Sequence, residues 1–375
     1  IKELLRYARR DYPQFIRRPT MKTASGRKTS DRVTLRDVAS DAGVTPATVS
    51  DILNERERCW ASKETKERVR AAADRLGYRV NRAARLLRTG NSGLIGILVS
   101  NITNPFYVSL AHSLEVSLEA AGYEVVIEDC GGDPEREERA IRNLLALSVD
   151  GMVCATQFSE ENIATLREYN ESGRRLVFVG TPPKLLDVRA VQVDDDEAFS
   201  DLAELLRTKG HKRIAYVAGQ RPARKNRTRE NCLRDALEVV GLSLDPSLVV
   251  ACPTALEDVA RAARELCDLP ARKRPTVICA INDVTAVAVV RTILDAGLRF
   301  PEDISVVGFD DIDLARWLPC RLTTISQGYE RIAEESVRLL RDERDAGAPA
   351  RQVKITARLM IRESVVRAVG ETTAF

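Results

Sequence analysis

The sequence predicts a small α-helical N-terminal head with a helix-turn-helix, followed by an α/β body of two doubly wound lobes. In the head, apolar residues between positions 34 and 76 recur at helical spacing, and glycines separate the helices. From Gly93 onward, short apolar runs alternate with helical stripes, which is typical of parallel sheets covered by helices. The body has more such runs than the about six strands of an average sheet. Two lobes with a ligand cleft between them are therefore expected.

Composition and charge limit the class of protein. The chain has 375 residues, of which 44% are apolar and 30% charged, the balance of a globular protein with two or three domains. Residues 1–90 contain 22 lysines and arginines against 11 acidic residues, whereas residues 91–375 contain 36 against 44. The net charge is thus +11 in the head and −8 in the body. This asymmetry fits a head that contacts a polyanion, and on charge alone it equally fits a solvated basic tail.

The first helix of the head is predicted to begin at Thr34, a capping residue, with Asp37 at the third helical position. Gly43 then interrupts the chain. A second helix begins after Thr45, with Pro46 at the favoured first position. Two short helices joined by a tight turn that contains glycine form the helix-turn-helix pattern.

The second helix should have one buried and one open face. Its buried face is predicted to consist of Val49, Ile52 and Leu53, and its outward face of Ala47, Ser50, Asp51 and Asn54. A small polar face of this kind can lie in a DNA major groove. A third helix should run from Ser62 to Leu76 and end at Gly77.

The elements of the body follow the same change of period. Strands are predicted at 94–99, 123–127, 151–155, 176–179, 214–218, 277–280 and 305–309. Helices are predicted near 106–121, 135–148, 160–172, 197–209, 227–240, 256–268, 284–296 and 329–344. His211 precedes a strand and is interpreted as a structural residue of that turn.

Motifs along the whole chain resemble one family. In the head they are residues 34–39, 42–44, 48–50, 53–54, Ser62, Thr65, 68–69, 76–78 and 81–88. In the body they are residues 94–96, 101–106, 210–215, 282–283, 301–310, 322–325 and Gln327. The chain resembles the LacI/GalR family of bacterial repressors, and its body is also similar to periplasmic sugar-binding proteins. The resemblance covers nearly all of residues 31–370.

The resemblance implies a mode of DNA binding. In the family the second helix reads the major groove, a hinge helix folds on the operator, and a leucine enters the minor groove, where apolar wedges kink the duplex. The matching leucine is Leu87. The implied DNA-binding residues are Thr34, Leu35, Thr45, Pro46, Ala47, Thr48, Ser50, Asp51, Asn54, Ser62, Tyr78, Asn81, Ala84 and Leu87.

The second helix departs from the family pattern. Pro46 and Ala47 replace larger specificity residues, and Asp51 stands where an arginine is usual. An acid disfavours contact with phosphates but can accept a hydrogen bond from cytosine N4, so a changed base preference is expected.

The resemblance also implies an effector site between the lobes. The matching positions are Ser100, Asn104, Phe106, Arg229, Asn282, Asp310 and Gln327. Gly180 stands where relatives often have a ligand-binding Asp, and residues 221–227 form an unusually basic insert. We expect a sugar or sugar derivative, with a sugar acid or sugar phosphate somewhat favoured by the basic insert.

The expected organisation follows from these assignments. Residues 1–31 form a disordered basic extension, 32–79 the helix-turn-helix domain, 80–92 the hinge helix and linker, and 93–370 the two-lobed effector and dimerisation domain. Residues 1–20 are either an upstream extension or a phosphate-binding arm. No signal peptide or membrane span is predicted, so a cytoplasmic location is expected. The resemblance implies a homodimer, which is preferred over a tetramer because residues 364–375 contain no heptad run.

Two other functions have to be compared with that of a repressor: an enzyme and a solute-binding protein. The eight cysteines lie mostly in apolar runs, which indicates free buried thiols, and the two histidines give no metal-ligand spacing. No metal or cofactor is therefore expected. An enzyme is disfavoured because no P-loop, G-x-G-x-x-G or G-x-S-x-G motif occurs. The remaining alternative is a solute-binding protein of a sugar transport system, which predicts a signal peptide and no helix-turn-helix.

Overall fold

The structure is a computed structural model that describes residues 33–53, 60–78, 86, 90–156, 158–183, 186–219, 228–253, 255–342 and 351–368. The chain divides into two compact units, Ile1–Arg85 and Leu86–Phe375, which are treated separately below. The predicted extension 1–31, the basic insert 221–227 and the predicted contacts Asn54, Asn81, Ala84 and Leu87 lie outside the described residues.

The described part of the head contains the helices α1 Leu35–Ala42, α2 Pro46–Leu53 and α3 Lys63–Leu76. They enclose a core that includes Val38, Val49, Ile52 and Val69. Both helix-ending glycines adopt left-handed backbone angles, with φ of 65° at Gly43 and 66° at Gly77. The predicted helix-turn-helix and its stops are confirmed.

The capping residues of the head act as the sequence predicts. The Asp37 carboxylate accepts hydrogen bonds from the backbone N–H and the hydroxyl of Thr34, both at 2.7 Å. The Thr45 hydroxyl accepts from the Thr48 N–H at 3.2 Å, and the Ser62 hydroxyl accepts from the Thr65 N–H at 3.2 Å. In each first turn a side chain therefore accepts from a backbone N–H: that of Asp37 in α1, Thr45 in α2 and Ser62 in α3.

Two six-stranded sheets form the two lobes of the body. Lobe I contains β1 Leu94–Val99, β2 Glu124–Asp129, β3 Gly151–Ala155, β4 Arg175–Val179, β5 Arg189–Asp194 and β11 Gln352–Thr356, in the order β11-β5-β4-β3-β1-β2. Lobe II contains β6 Ile214–Ala218, β7 Val249–Ala251, β8 Val277–Ala280, β9 Ser305–Asp310, β10 Thr323–Ser326 and β12 Arg358–Met360, in the order β12-β10-β9-β8-β6-β7. Every pairing is parallel except that of β12 with β10.

Helices cover both sheets. They are α4 Pro105–Ala120, α5 Pro134–Ala146, α6 Glu160–Glu171, α7 Asp196–Thr208, α8 Arg229–Val239, α9 Leu256–Cys267, α10 Asp283–Asp295, α11 Asp313–Trp317 and α12 Tyr329–Arg341. The predicted α/β body of two doubly wound lobes is confirmed. In each sheet the strand order reverses beside the first strand, β1 or β6, and ligands of such sheets bind at the carboxyl ends there.

Five strands and one helix were missed by sequence reasoning. The strands are β5, β7, β10, β11 and β12, and the helix is α11, which has only five residues. The strands β7 and β12 have three residues each, and β11 is largely exposed, so none of these three strands gives a clear apolar run. Their placement depends on pairing with distant strands, which local periodicity does not encode.

The described interior agrees with the expected thiol chemistry. Six of the described cysteines are buried, and Cys320 is half-buried. Among the described residues no helix is long and apolar enough to cross a membrane. No cluster of three or more candidate metal ligands occurs in that part of the chain.

Candidate functional site

The first candidate site is the open face of α2 in the head. Pro46 and Ala47 are exposed, whereas Thr48 and Asp51 are half-buried. The Thr45 and Thr48 hydroxyls lie 2.9 Å apart at the amino end of this helix. Thr34 and Ser62 are exposed at the amino ends of α1 and α3, positions that suit contact with phosphate oxygens.

The predicted outward face of α2 is wrong in one position. Ser50 is only 6% exposed, although it was expected on the outward face. The reason is that α2 packs against both α1 and α3, so its buried arc is wider than Val49, Ile52 and Leu53. Leu35 and Tyr78, two further predicted DNA-binding residues, are half-buried and pack against the head's core. These two side chains are thus partly committed to the packing of the head.

The second candidate site is centred on Asp310 in the cleft of the body. Asp310 ends β9 and is 3% exposed. Its Oδ1 accepts a hydrogen bond from the Gln327 amide at 2.7 Å and lies 3.5 Å from a guanidinium nitrogen of Arg229. Its Oδ2 lies 3.5 Å from the Asn104 amide nitrogen. Burial raises the pKa of Asp310, while the charge of Arg229 and these hydrogen bonds oppose that rise.

The Arg229 guanidinium is fixed in one orientation. Arg229 is the first residue of α8, and one guanidinium nitrogen donates to the Ile281 carbonyl oxygen at 2.7 Å. The guanidinium carbon lies 3.6 Å from the centre of the Phe309 ring, a cation–π contact. Contacts within the protein therefore hold the guanidinium beside Asp310, and its remaining N–H groups can donate to a ligand oxygen.

Lobe I contributes the other wall of the cleft. Asn104 caps α4, because its Oδ1 accepts from the Phe106 N–H at 3.0 Å, which leaves its amide nitrogen toward Asp310. Phe106 is 7% exposed and packs edge-to-face on Tyr107, with ring centres 5.3 Å apart. Phe106 thus belongs more to the core than to an open ligand surface.

Tyr107 is a site residue that sequence reasoning missed. Its pKa is raised by burial and by the charge of Asp310, and it is lowered by the charge of Arg229 and a hydrogen bond with Ser100. The phenol is therefore hydrogen-bonded to Ser100 and lies within the electrostatic influence of Asp310 and Arg229. The signal in the sequence that could have identified Tyr107 is its position beside Phe106 in the first turn of the helix that follows β1.

The remaining predicted positions lie at the margin. Asn282 caps α10, since its Oδ1 accepts from the Thr285 N–H at 2.8 Å, and only its amide nitrogen remains for a ligand. Gly180 follows β4 with a φ of 100°, a conformation that side chains disfavour. The structure thus brings together Ser100, Asn104, Arg229, Asp310 and Gln327, with Tyr107 added, and leaves Phe106 and Asn282 at the edge.

A buried carboxyl group supports this site from behind. Asp283, the first residue of α10, is fully buried and accepts from the Thr324 hydroxyl at 2.6 Å and from the Ile312 N–H at 2.9 Å. It therefore holds the turn after β9, in which Asp310 and Asp311 have positive φ values of 109° and 56°. Burial raises the pKa of Asp283 to about 7, and the charges of Asp310 and Asp311 act in the same direction.

This carboxyl group predicts a pH dependence of stability. The folded-state pKa of Asp283 lies above the ordinary value of 3.8, so its contribution is fully present below pH ~4 and is lost as the pH rises through 7. We expect the free energy of unfolding of the body to fall by about 2 kcal/mol between pH 5 and pH 8 through this group. Urea unfolding at both pH values should show this fall in the wild type and a much smaller one in Asp283→Asn. Equal falls in the two proteins would contradict the assignment.

Comparison with known proteins identifies the family. A model of the lacI family of bacterial regulatory proteins matches residues 34–81, and a model of the periplasmic binding protein-like domain matches residues 203–365. The transcriptional repressor PurR of Haemophilus influenzae is 30% identical over 342 residues, which cover 88% of this chain and 98% of PurR. The chain belongs to the LacI family of bacterial regulatory proteins.

Other LacI-family members agree with this assignment. The transcriptional regulator DegA of Bacillus subtilis is 29% identical over 335 residues, which cover 89% of this chain and 98% of DegA. The solved complex of the regulator CelR with cellobiose is 28% identical, covers 89% of this chain and all of CelR, and has a TM-score of 0.62. The Lac repressor dimer bound to operator, at 24% identity and a TM-score of 0.74, has the same fold over 90% of this chain and all of the repressor chain.

These matches decide between the functions considered above. The relatives are transcriptional regulators and repressors rather than enzymes or transport proteins. As a LacI-family protein with a helix-turn-helix head, this chain is a DNA-binding transcriptional regulator.

Proposed function

We propose that this regulator is a homodimeric repressor whose affinity for operator DNA is controlled by a small sugar or sugar derivative bound in the cleft. The observation that carries the proposal is the cluster around Asp310, which takes Asn104 from lobe I and Arg229 and Gln327 from lobe II. A ligand that bonds to this cluster touches both lobes, so its binding energy depends on their relative position. Such differential contact is what allows a ligand to shift a conformational equilibrium.

The chemistry of the cluster favours a ligand with several hydroxyl groups. Asp310 accepts hydrogen bonds, Arg229 donates a planar pair, and the amides of Asn104 and Gln327 can do either. Solved LacI-family regulators similar to this chain were obtained with cellobiose, with ribose and with sucrose. We therefore propose the same broad class here, and we include sugar acids and sugar phosphates because residues 221–227 are strongly basic.

We retain Ser100, Asn104, Phe106, Arg229, Asn282, Asp310 and Gln327 as proposed effector contacts, with Tyr107 as an addition. For operator DNA we retain the residues named above from Thr34 to Leu87, with Ser50, Leu35 and Tyr78 in supporting roles because they pack in the head. The boundaries 1–31, 32–79, 80–92 and 93–370 remain our proposed division. The chromosome is the site of action, so we propose a cytoplasmic protein.

The homodimer is supported by exposed apolar side chains on the body. Val108 and Val116 lie two turns apart on α4, and Leu314 and Trp317 lie on α11, where Trp317 is 83% exposed. Large apolar side chains exposed in groups are typical of protein interfaces. Two heads in one dimer would read a pseudo-palindromic operator.

Selection of duplexes from a random pool tests the proposal. We expect the full chain to enrich a palindrome with a flexible central step, and Leu87→Ala to bind that sequence much more weakly because it lacks the apolar wedge. Absence of any enriched palindrome would contradict the proposal that this protein binds a palindromic operator. An enriched operator then serves as the reporter for a screen of neutral sugars, sugar acids and sugar phosphates.

A substitution at Asp51 tests how the head reads bases. We expect Asp51→Arg to change the preferred base at one position of each half-site, because arginine prefers guanine where an acid accepts from cytosine, a difference of about 1–3 kcal/mol. The same selection measures the change. Asp74→Arg on α3 is the matched control, since it alters charge equally and should raise affinity without changing the preferred sequence. An unchanged preference in Asp51→Arg would show that Asp51 takes no part in readout.

A further inference from the structure

A second charged surface lies at the edge of lobe II opposite the Asp310 cluster. Parallel strands β6 and β8 are neighbours, with Ile214 paired to Val277. The segments that lead into them, 209–213 and 270–276, therefore meet at the amino ends of the strands. Asp310 stands at the carboxyl end of β9, at the other edge of the same sheet.

Hydrogen bonds hold three segments together at this edge. The Arg213 side chain donates to the Arg274 carbonyl oxygen at 2.8 Å, and the Thr276 N–H donates to the Arg213 carbonyl oxygen at 2.9 Å. The third segment, 366–368, joins through Ala368, whose N–H donates to the Lys209 carbonyl oxygen at 2.9 Å. His211 lies between them, with one ring nitrogen 2.9 Å from the Thr276 hydroxyl and the other 2.9 Å from the Val366 carbonyl oxygen. The buried His211 is thus structural, as predicted.

These three segments are rich in cations and contain no acidic residue. We call their cationic side chains the basal patch: Lys209, Lys212, Arg213, Arg272, Lys273, Arg274 and Arg367. Lys212, Arg272, Lys273 and Arg367 are exposed. The positive charge of the basal patch contrasts with the net charge of −8 of the body as a whole. A compact positive surface on an acidic body is a local feature of the charge distribution, not a consequence of composition.

An acidic group close to this edge is already paired with an arginine. Asp303, in the neighbouring segment that leads into β9, accepts a hydrogen bond from the Arg299 guanidinium at 2.6 Å. Its pKa is lowered first by the Arg299 hydrogen bonds and further by the charge of Arg274. The Nε donor of Arg274 is itself buried and has no hydrogen-bond partner among the described residues. The groups that an incoming carboxylate can reach from solvent are therefore the exposed cations Arg272, Lys273 and Arg367 rather than this buried donor.

We propose that the basal patch docks a short acidic segment, a run of Asp and Glu residues, of a partner protein. Two observations favour this partner over nucleic acid. The three segments contain no Trp, Tyr or Phe for stacking on bases. A long duplex would also extend past the patch over a body of net negative charge, whereas a short acidic peptide need contact only the patch.

Binding of a fluorescein-labelled oligoglutamate to the full chain, followed by fluorescence anisotropy, tests the proposal. We expect Arg272→Glu combined with Lys273→Glu to raise the peptide Kd about tenfold, because two attractions become repulsions. Arg261→Glu combined with Arg291→Glu is the matched control, since both arginines are exposed on helices of the same lobe. It should change Kd by less than about twofold, in keeping with the small effect of distant surface charges.

Carbodiimide coupling of the bound peptide locates the contact. We expect amide cross-links at Lys273, Lys212 or Lys209. Cross-links confined to lysines of the basic head, or equal Kd values for the wild type and the patch variant, would overturn the proposal. A patch variant that loses affinity for random duplex DNA rather than for the peptide would also overturn it. The neutral pair Arg272→Gln and Lys273→Gln, with an expected smaller rise in Kd, repeats the test if the charge-reversed variant does not fold.

Discussion

Gly308→Ala is expected to destabilise the body strongly, by about 3 kcal/mol, the upper end for overpacking in a core. Gly308 lies in β9, and a methyl group there would overlap Asp283 Oδ1 and lie 2.8 Å from a methyl carbon of Leu322. Neither neighbour can move freely, because Asp283 is held by Thr324 and Ile312 and Leu322 is fully buried. Urea unfolding of the body measures the loss.

A double-mutant cycle separates this clash from other effects of the substitution. In an Asp283→Ala background the overlapping oxygen is absent and only the close contact with Leu322 remains, so Gly308→Ala should cost clearly less than it does in the wild type. Equal costs in the two backgrounds would show that close approach of Asp283 to β9 is not the cause. The cycle thus tests whether the glycine is required by the carboxyl group that supports the effector turn.

Asp310→Ala is expected to abolish the response to effector while leaving operator binding intact. The substitution removes the acceptor for Gln327 and the counter-charge of Arg229, both of which are half-buried. We expect the affinity for the sugar or sugar derivative found in the operator screen to fall about 100-fold, equivalent to about 3 kcal/mol. Calorimetric titration of that ligand provides the measurement.

An acidic residue outside the cleft supplies the control for Asp310. Asp245 is an exposed helix-capping residue of lobe II, and Asp245→Ala should leave effector affinity unchanged. Loss of operator binding in Asp310→Ala without effector would indicate that the residue maintains the fold rather than the ligand site. Full retention of effector affinity would place the ligand elsewhere.

The sequence predicts most of the architecture because its signals are local. Thr34, Thr45 and Ser62 are followed by helices, and the apolar runs at 94–99, 151–155, 214–218 and 277–280 become strands with those bounds. The α/β alternation then leaves few topologies. What local signals do not contain is the pairing of β10, β11 and β12 with strands far away in the chain.

The candidate site was predictable in its members but not in their roles. Resemblance led to Asp310, Arg229 and Gln327, which lie together in the structure, and their binding of an effector stays a prediction. The resemblance did not reveal that Phe106 is largely buried or that the side-chain Oδ1 of Asn282 caps a helix. Tyr107 and Asp283 were missed because their importance arises from burial and from neighbours in other elements, which no spacing in the sequence records.

The course of the chain between the lobes constrains how this protein is made. Strand β11 completes the sheet of lobe I and β12 that of lobe II, so each lobe receives its last strand from residues 352–360. Neither sheet has all six of its strands until those residues have left the ribosome. A body that ends before residue 352, whether from a nonsense codon or from proteolysis, therefore lacks one edge of both lobes at once. Residues 352–360 are therefore required for both lobes to be complete.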